Sequence, residues 1–135
     1  MLYVHKVIYY ETDKMGITHH SNYIRWMEEA RIEYLRDIGL DYRTLESEGV
    51  ISPVVSVDCR YRHTTAFDDE VQIDVYIKEF KGVRLVFGYE MTKLPGGEQV
   101  CTASSEHCFV NSEGKPVILK KEFPHYDEVL KKNCK

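Results

Sequence analysis

Tyr10-Glu11-Thr12-Asp13-Lys14-Met15-Gly16-Ile17-Thr18-His19-His20-Ser21-Asn22-Tyr23 sets acids, a glycine and two histidines directly ahead of a strongly amphipathic segment. A helix that begins there leaves its first backbone N–H groups without intrahelical partners, at the positive end of the helix dipole. An acid held beside those groups puts a base or nucleophile and an oxyanion binder in one place. The combination suits acyl transfer.

Reading outward from this stretch, Asn22 to Ile38 carries Tyr23, Trp26, Met27, Ala30, Tyr34, Leu35 and Ile38 at helical spacing, with Arg25, Glu28, Glu29, Glu33, Arg36 and Asp37 between them. The spacing predicts the one long helix of the chain. Ser21 or Asn22 is placed to cap its start, and Gly39 to supply the left-handed residue that ends it. On the other side, Val4 to Tyr10 is short, β-branched and aromatic, which predicts a first strand. Asp41 to Glu48 adds a short helical turn before Gly49.

From Ile51 the period changes to two. Val55, Val57, Cys59 and Tyr61 alternate with Ser56, Asp58, Arg60 and Arg62, and Val71, Ile73, Val75 and Ile77 with Gln72, Asp74, Tyr76 and Lys78, while Val83, Leu85, Phe87, Tyr89 and Met91 then lie on one face. Gln99 to Val110 follows the turn Leu94-Pro95-Gly96-Gly97. Phe80-Lys81-Gly82 and Asn111-Ser112-Glu113-Gly114 are further hairpin signals. Four consecutive strands with short turns predict an antiparallel meander, and the long helix is available to cover its apolar face. The charged end, residues 131–135, is expected to fray.

Composition bounds the partners. A chain of 135 residues, 43% of them hydrophobic and 30% charged, suits a single domain over 1–135. The formal net charge of −4 and the lack of a Lys/Arg run argue against nucleic acid as a partner. No apolar run approaches the roughly 20 residues of a membrane span, and no signal-peptide pattern opens the sequence. Cys59, Cys101, Cys108 and Cys134 form no C-x-x-C pair and read as free thiols. The expected location is the cytoplasm.

The order of strand, acid-containing loop, long helix and meander resembles the hotdog fold. Tyr10 to Gly39 resembles the 4-hydroxybenzoyl-CoA thioesterase family, and more narrowly the bacterial acyl-CoA thioester hydrolases associated with the Tol-Pal system. The loop pattern of that group is matched by Glu11, Thr12, Asp13, Gly16, His20, Asn22 and Tyr23, and its helix signature by Trp26, Glu29, Ala30, Arg31 and Gly39. Glu11 stands where relatives commonly have Asp. The resemblance implies an α+β fold, an antiparallel sheet of about five strands wrapped around one long helix. It implies hydrolysis of an acyl-CoA to free acid and CoA with no metal or organic cofactor. It also implies a homodimer with sheets joined edge to edge and active sites at the subunit boundary, commonly paired again into a homotetramer.

The resemblance puts the catalytic carboxylate at Asp13 and the oxyanion donor at the backbone N–H of His20. Asp13 then either attacks the carbonyl or deprotonates a water that does. The His20 imidazole has two readings, orienting Asp13 or substrate, and a structural hydrogen bond at the helix start. Gly16, Ile17, Tyr23, Trp26, Val57 and Tyr61 are the expected substrate-binding residues, and Arg62, Lys81, Arg84 and Lys120 are candidates for the CoA phosphates. Adjacent His19 and His20 point in different directions with no carboxylate at a ligand spacing, so a metal site is not expected. Two other functions fit the same features: a thioesterase acting on acyl-carrier protein, and an acyl-CoA-binding module without turnover. A hydratase is disfavoured, because its usual motif is missing.

Overall fold

The computed structural model describes all 135 residues. In chain order the elements are β1 (Leu2–Lys6), α1 (Ser21–Asp37), α2 (Tyr42–Ser47), β2 (Val54–Tyr61), β3 (Glu70–Lys81), β4 (Arg84–Leu94), β5 (Glu98–His107), α3 (Leu119–Glu122) and α4 (Pro124–Asn133). The strands form one antiparallel sheet in the order β1-β3-β4-β5-β2, which leaves β1 and β2 as edges. No helix is long and apolar enough to cross a membrane.

The core follows from the two periodicities. Val71, Ile73, Val75 and Ile77 of β3, with Leu85, Phe87, Tyr89 and Met91 of β4, are buried and alternate along their strands. Trp26, Met27, Ala30 and Tyr34 come from α1 at i, i+1, i+4 and i+8, and they join the same core cluster. Each large apolar side chain so buried contributes about 1.5–3 kcal/mol. The sheet therefore carries the helix, and the position of the helix start is set by the packing of Trp26 and Met27.

Two boundaries differ from the sequence reading. The first strand stops at Lys6 instead of running to Tyr10, because Glu11 folds back: its carboxylate accepts Ile8 N–H at 2.8 Å and its own N–H donates to Ile8 O at 2.9 Å. Tyr9–Glu11 is a 3₁₀ turn as a result. The end of the chain is not a frayed tail. Residues 124–133 form α4, opened by Pro124 at its first turn, and Leu130 is buried in the core. Cys134 then bridges to Ile77, where Lys135 N–H donates to Ile77 O at 3.1 Å.

Candidate active site

The loop ahead of α1 is a small hairpin. Thr12 pairs with Thr18, Asp13 N–H donates to Ile17 O at 2.9 Å, and Gly16 N–H donates to Asp13 O at 3.0 Å. Gly16 has φ +79°, the left-handed region in which glycine carries no Cβ penalty. Inside this turn Asp13 Oδ1 accepts Met15 N–H at 2.8 Å, whereas Oδ2 accepts no donor from the protein.

The helix start lies at the other end of the same hairpin. His20 is the residue that precedes α1, and its side chain makes no capping bond. Its backbone N–H donates to no acceptor within the chain. Ser21 and Asn22 do not cap as expected. Ser21 N–H donates to His19 Nδ1 at 3.3 Å, and Asn22 Nδ2 donates to Glu11 O at 3.0 Å and His19 O at 3.2 Å. Asn22 thus ties the helix to the loop instead of closing its own first turn.

Beneath the loop is a buried ionic network. Glu11 Oε2 accepts Trp26 Nε1–H at 2.8 Å, and Oε1 lies 2.9 Å from His5 Nε2. The other ring nitrogen, His5 Nδ1, is 3.1 Å from Glu29 Oε1, which also accepts the Tyr3 hydroxyl at 2.8 Å. Burial alone would lower the His5 pKa, but the hydrogen bonds to Glu29 and then Glu11 outweigh it and raise it above the ordinary 6.5. Burial opposes ionisation of Glu11 in the same way, and the hydrogen bonds from Ile8, His5 and Trp26 nevertheless hold it below the usual carboxylate value. His5 is clamped between two carboxylates, which favour its charged form, so β1, the loop and α1 are joined at one point.

Next to the helix start is an open cleft of about 290 Å³ lined by Ile17, Thr18, His20, Tyr23, Tyr61, Arg62, His63 and Thr64. The Tyr61 hydroxyl donates to His20 O at 3.2 Å, and burial first, then Cys59, pushes its pKa up to about 12, so it stays a donor. Tyr23 and Tyr61 meet edge to face at 5.2 Å. The Tyr23 hydroxyl is 3.0 Å from Thr65 Oγ1, which is itself 2.6 Å from Thr18 Oγ1. A free carboxylate oxygen, a free backbone N–H and an adjoining cleft are what hydrolysis of an activated carbonyl needs.

A family profile described as the thioesterase-like superfamily matches residues 7–133. The chain belongs to that superfamily. Its fold is the hotdog fold of the thioesterases: it superposes on a DHNA-CoA thioesterase from Staphylococcus aureus with a TM-score of 0.93 at 31% identity, covering 97% of this chain and 88% of the other. Among sequences, it is 35% identical over 128 residues to YneP of Bacillus subtilis, a protein named provisionally as an acyl-CoA thioesterase, covering 94% of this chain and 92% of that one. It is also 31% identical to the acyl-CoA thioesterase YbgC of Haemophilus influenzae over 83 residues, 61% of each chain.

Measured against this hotdog cleft, the sequence-predicted residues divide. Ile17, His20, Tyr23, Tyr61 and Arg62 are brought together, with Asp13 and Gly16 in the adjoining turn. Trp26 is not a wall of the cleft: it is fully buried, and its indole N–H is spent on Glu11. Val57 belongs to a separate cleft between α1 and β2. Lys81 and Arg84 sit at the β3–β4 hairpin, eleven residues and roughly 35 Å along β3 from its start. Both are paired with Glu79, and Arg84 also with Glu106. Lys120 follows Leu119, which packs with Leu85 near that same hairpin. Of the four phosphate candidates only Arg62 lines the cleft. Thr65 and His5 were missed: Thr18 lies 47 residues from Thr65, and His5 reaches Glu29 24 residues away as well as Glu11 six residues away, at no spacing that marks a motif.

Proposed function

We propose that the chain hydrolyses an acyl-CoA thioester to the free acid and CoA, with Asp13 Oδ2 as the reacting carboxylate oxygen and the His20 backbone N–H as the oxyanion donor. The observation that carries this reading is that both groups are without protein partners while Asp13 Oδ1 and the neighbouring Asp13, Gly16 and His19 N–H groups are bonded. Asp13 Oδ2, or a water it deprotonates, forms a bond to the carbonyl carbon. The carbonyl oxygen gains negative charge against the N–H at the start of α1, where the helix dipole adds to the stabilisation. Collapse of the adduct breaks the C–S bond and the CoA thiolate leaves, to be protonated by solvent. If Oδ2 itself has bonded, the resulting mixed anhydride is cleaved by water, which restores Asp13. Thioesters suit this arrangement because the thiolate is a good leaving group.

Arg62 is the cation on the cleft wall and the proposed partner of a CoA phosphate. The names of the similar proteins above, all acyl-CoA or aryl-CoA thioesterases, support the substrate class. We place the protein in the cytoplasm, where acyl-CoA is found, and assemble it as a dimer or a pair of dimers. Support for pairing comes from β2, an edge strand on which Val54, Val55 and Val57 are exposed.

Release of free thiol from a panel of short aliphatic, long aliphatic and aromatic acyl-CoAs tests the reading. Turnover that disappears in Asp13→Asn is expected. Tight binding of acyl-CoA without thiol release from any member would replace the enzyme with a binding module.

A further inference from the structure

Glu11 holds both ends of the hairpin that carries Asp13. Its backbone O accepts His19 N–H at 2.8 Å and Asn22 Nδ2–H at 3.0 Å, so the residue before His20 hangs from it. Asp13 follows it in the chain, past the Thr12–Thr18 bridge that closes the hairpin. The side chain fixes Glu11 in turn: Oε1 accepts Ile8 N–H at 2.8 Å and lies 2.9 Å from His5 Nε2, while Oε2 accepts Trp26 Nε1–H at 2.8 Å. Glu11 is 4% exposed, and its one ion pair is with His5.

Few groups face His5. Glu11 meets Nε2 and Glu29 of α1 meets Nδ1 at 3.1 Å; Tyr3, with Glu33 near it, bonds to Glu29; Trp26 packs on the ring at 4.6 Å; and β3 presents Val71 opposite. Both ring nitrogens therefore point at carboxylate oxygens. A neutral imidazole has one donor and one acceptor nitrogen, so it would set a lone pair against one carboxylate; only the protonated ring donates to both. Loss of that proton also leaves the buried Glu11 carboxylate without a cation, and an unpaired buried charge is costly. Stability alone does not call for such a network, because well-packed apolar residues of similar volume often hold a fold as well as a buried ion pair. What hydrogen-bonded charges add is a fixed direction.

We propose that Glu11 is a positioning residue for the hydrolysis proposed above: braced by protonated His5, it sets the separation of Asp13 Oδ2 from the His20 N–H, and turnover falls as His5 loses its proton. The inference rests on that reading and adds a group that governs the rate without touching substrate. Once the cation is gone, the Glu11 carboxylate relaxes toward water, and Asp13 and His19 move with it. About an ångström of misplacement can cost on the order of 10²-fold in rate. Burial works against the charged ring, but the bonds to Glu29 and Glu11 outweigh it and raise the His5 pKa above 6.5, so the loss falls on the alkaline side.

The test is the pH dependence of thiol release from acyl-CoA, with histidine ring NMR on the same preparations. In wild type, kcat/KM should fall through one ionisation above pH 6.5, and its midpoint should coincide with that of the His5 ring, the signal missing from His5→Gln. Glu29→Gln, at a half-exposed side chain, should move both midpoints about one pH unit lower, because it removes a carboxylate that favours the charged ring. His5→Gln has no ring to titrate and should lack the alkaline fall. Glu11→Gln should lower kcat at least ~10-fold while KM changes less than about threefold. A purely structural role would lower Tm in these variants and leave kcat per folded molecule and the midpoints where they are. If Glu11→Gln does not fold, the midpoints in Glu29→Gln decide. A wild-type profile without the alkaline fall, a fall that persists in His5→Gln or stays in place in Glu29→Gln, or a midpoint that departs from that of the ring would overturn the positioning role and leave the hydrolase reading standing. A wild type that releases no thiol from any acyl-CoA at any pH would overturn both.

Discussion

Asp13 Oδ1 and the Met15 backbone N–H are 2.8 Å apart, and that single bond divides the carboxylate into a holding oxygen and a free one. An amide oxygen can replace Oδ1 in the turn, but an amide nitrogen can neither attack a carbonyl nor take a proton from water. Asp13→Asn should therefore keep the fold, with a Tm change under about 3 °C, and lose at least ~10²-fold in kcat. Thermal melts and thiol-release kinetics on the same preparation decide it. A folded variant with near wild-type kcat would end the assignment.

Which parts of this site were readable in the sequence depends on how local their causes are. The helix was legible because Trp26, Met27, Ala30 and Tyr34 recur at helical spacing, and the turn because Gly16 between Asp13 and the helix answers a local backbone demand. Periodicity says that Trp26 faces inward without saying whether inward means core or pocket, and its bond to Glu11 settles the matter only in three dimensions. His5 and Thr65 carry no local signal at all. The hairpin end of the sheet was likewise out of reach: Lys81, Arg84 and Lys120 look like phosphate ligands one at a time, and only the register of β3 with β4, and for Lys120 the cavity that Leu119 shares with Leu85, shows them at the far end of the strand from the cleft. Residues 131–135 read as a charged tail because Lys131 and Lys132 open them, and only the docking of α4 through the buried Leu130 shows that the helix runs on to Asn133.

The His5 clamp predicts a pH dependence with a definite sign. A histidine whose folded pKa is above its unfolded value of 6.5 stabilises the fold fully below that value, and the contribution is lost as pH rises through the folded pKa. Glu11 and Glu29 are lowered from 4.5, so their contribution is present above that value and lost as pH falls through the depressed ones. The clamp is complete on the acidic side of neutrality. His5→Gln should lower Tm more at pH 6 than at pH 9, measured by melting both proteins across that range. A gap that is constant or widens with pH would show that His5 is not held as a cation.

Arg62 lines the cleft as its wall cation, and a charge-assisted bond to phosphate is worth about 1.5–3 kcal/mol. Arg62→Ala should raise KM for acyl-CoA on the order of tenfold or more with kcat little changed. The same variant should hydrolyse an acyl-pantetheine, which lacks the nucleotide phosphates, as well as wild type does. Equal losses on both thioesters would place Arg62 at the acyl end instead.

The oxyanion donor proposed here is main chain, and this separates the roles of His20 and Gly16. His20→Ala keeps the backbone N–H at the start of α1 and should retain measurable kcat, with any loss reflecting the ring's stacking on His19 at 4.3 Å and its place on the cleft wall. Gly16 has open space where a Cβ would stand, so a substitution there tests backbone angle alone: φ +79° is strained for a β-branched residue whatever the room around it. Gly16→Val should therefore turn the hairpin, shift Asp13 relative to the helix start and cost more in kcat/KM than His20→Ala, since about an ångström of misplacement can cost on the order of 10²-fold. Kinetics on both folded variants provide the comparison. Unchanged kcat/KM in Gly16→Val together with complete loss in His20→Ala would show that the imidazole performs the chemistry and the hairpin geometry does not, and the backbone oxyanion site would have to be abandoned.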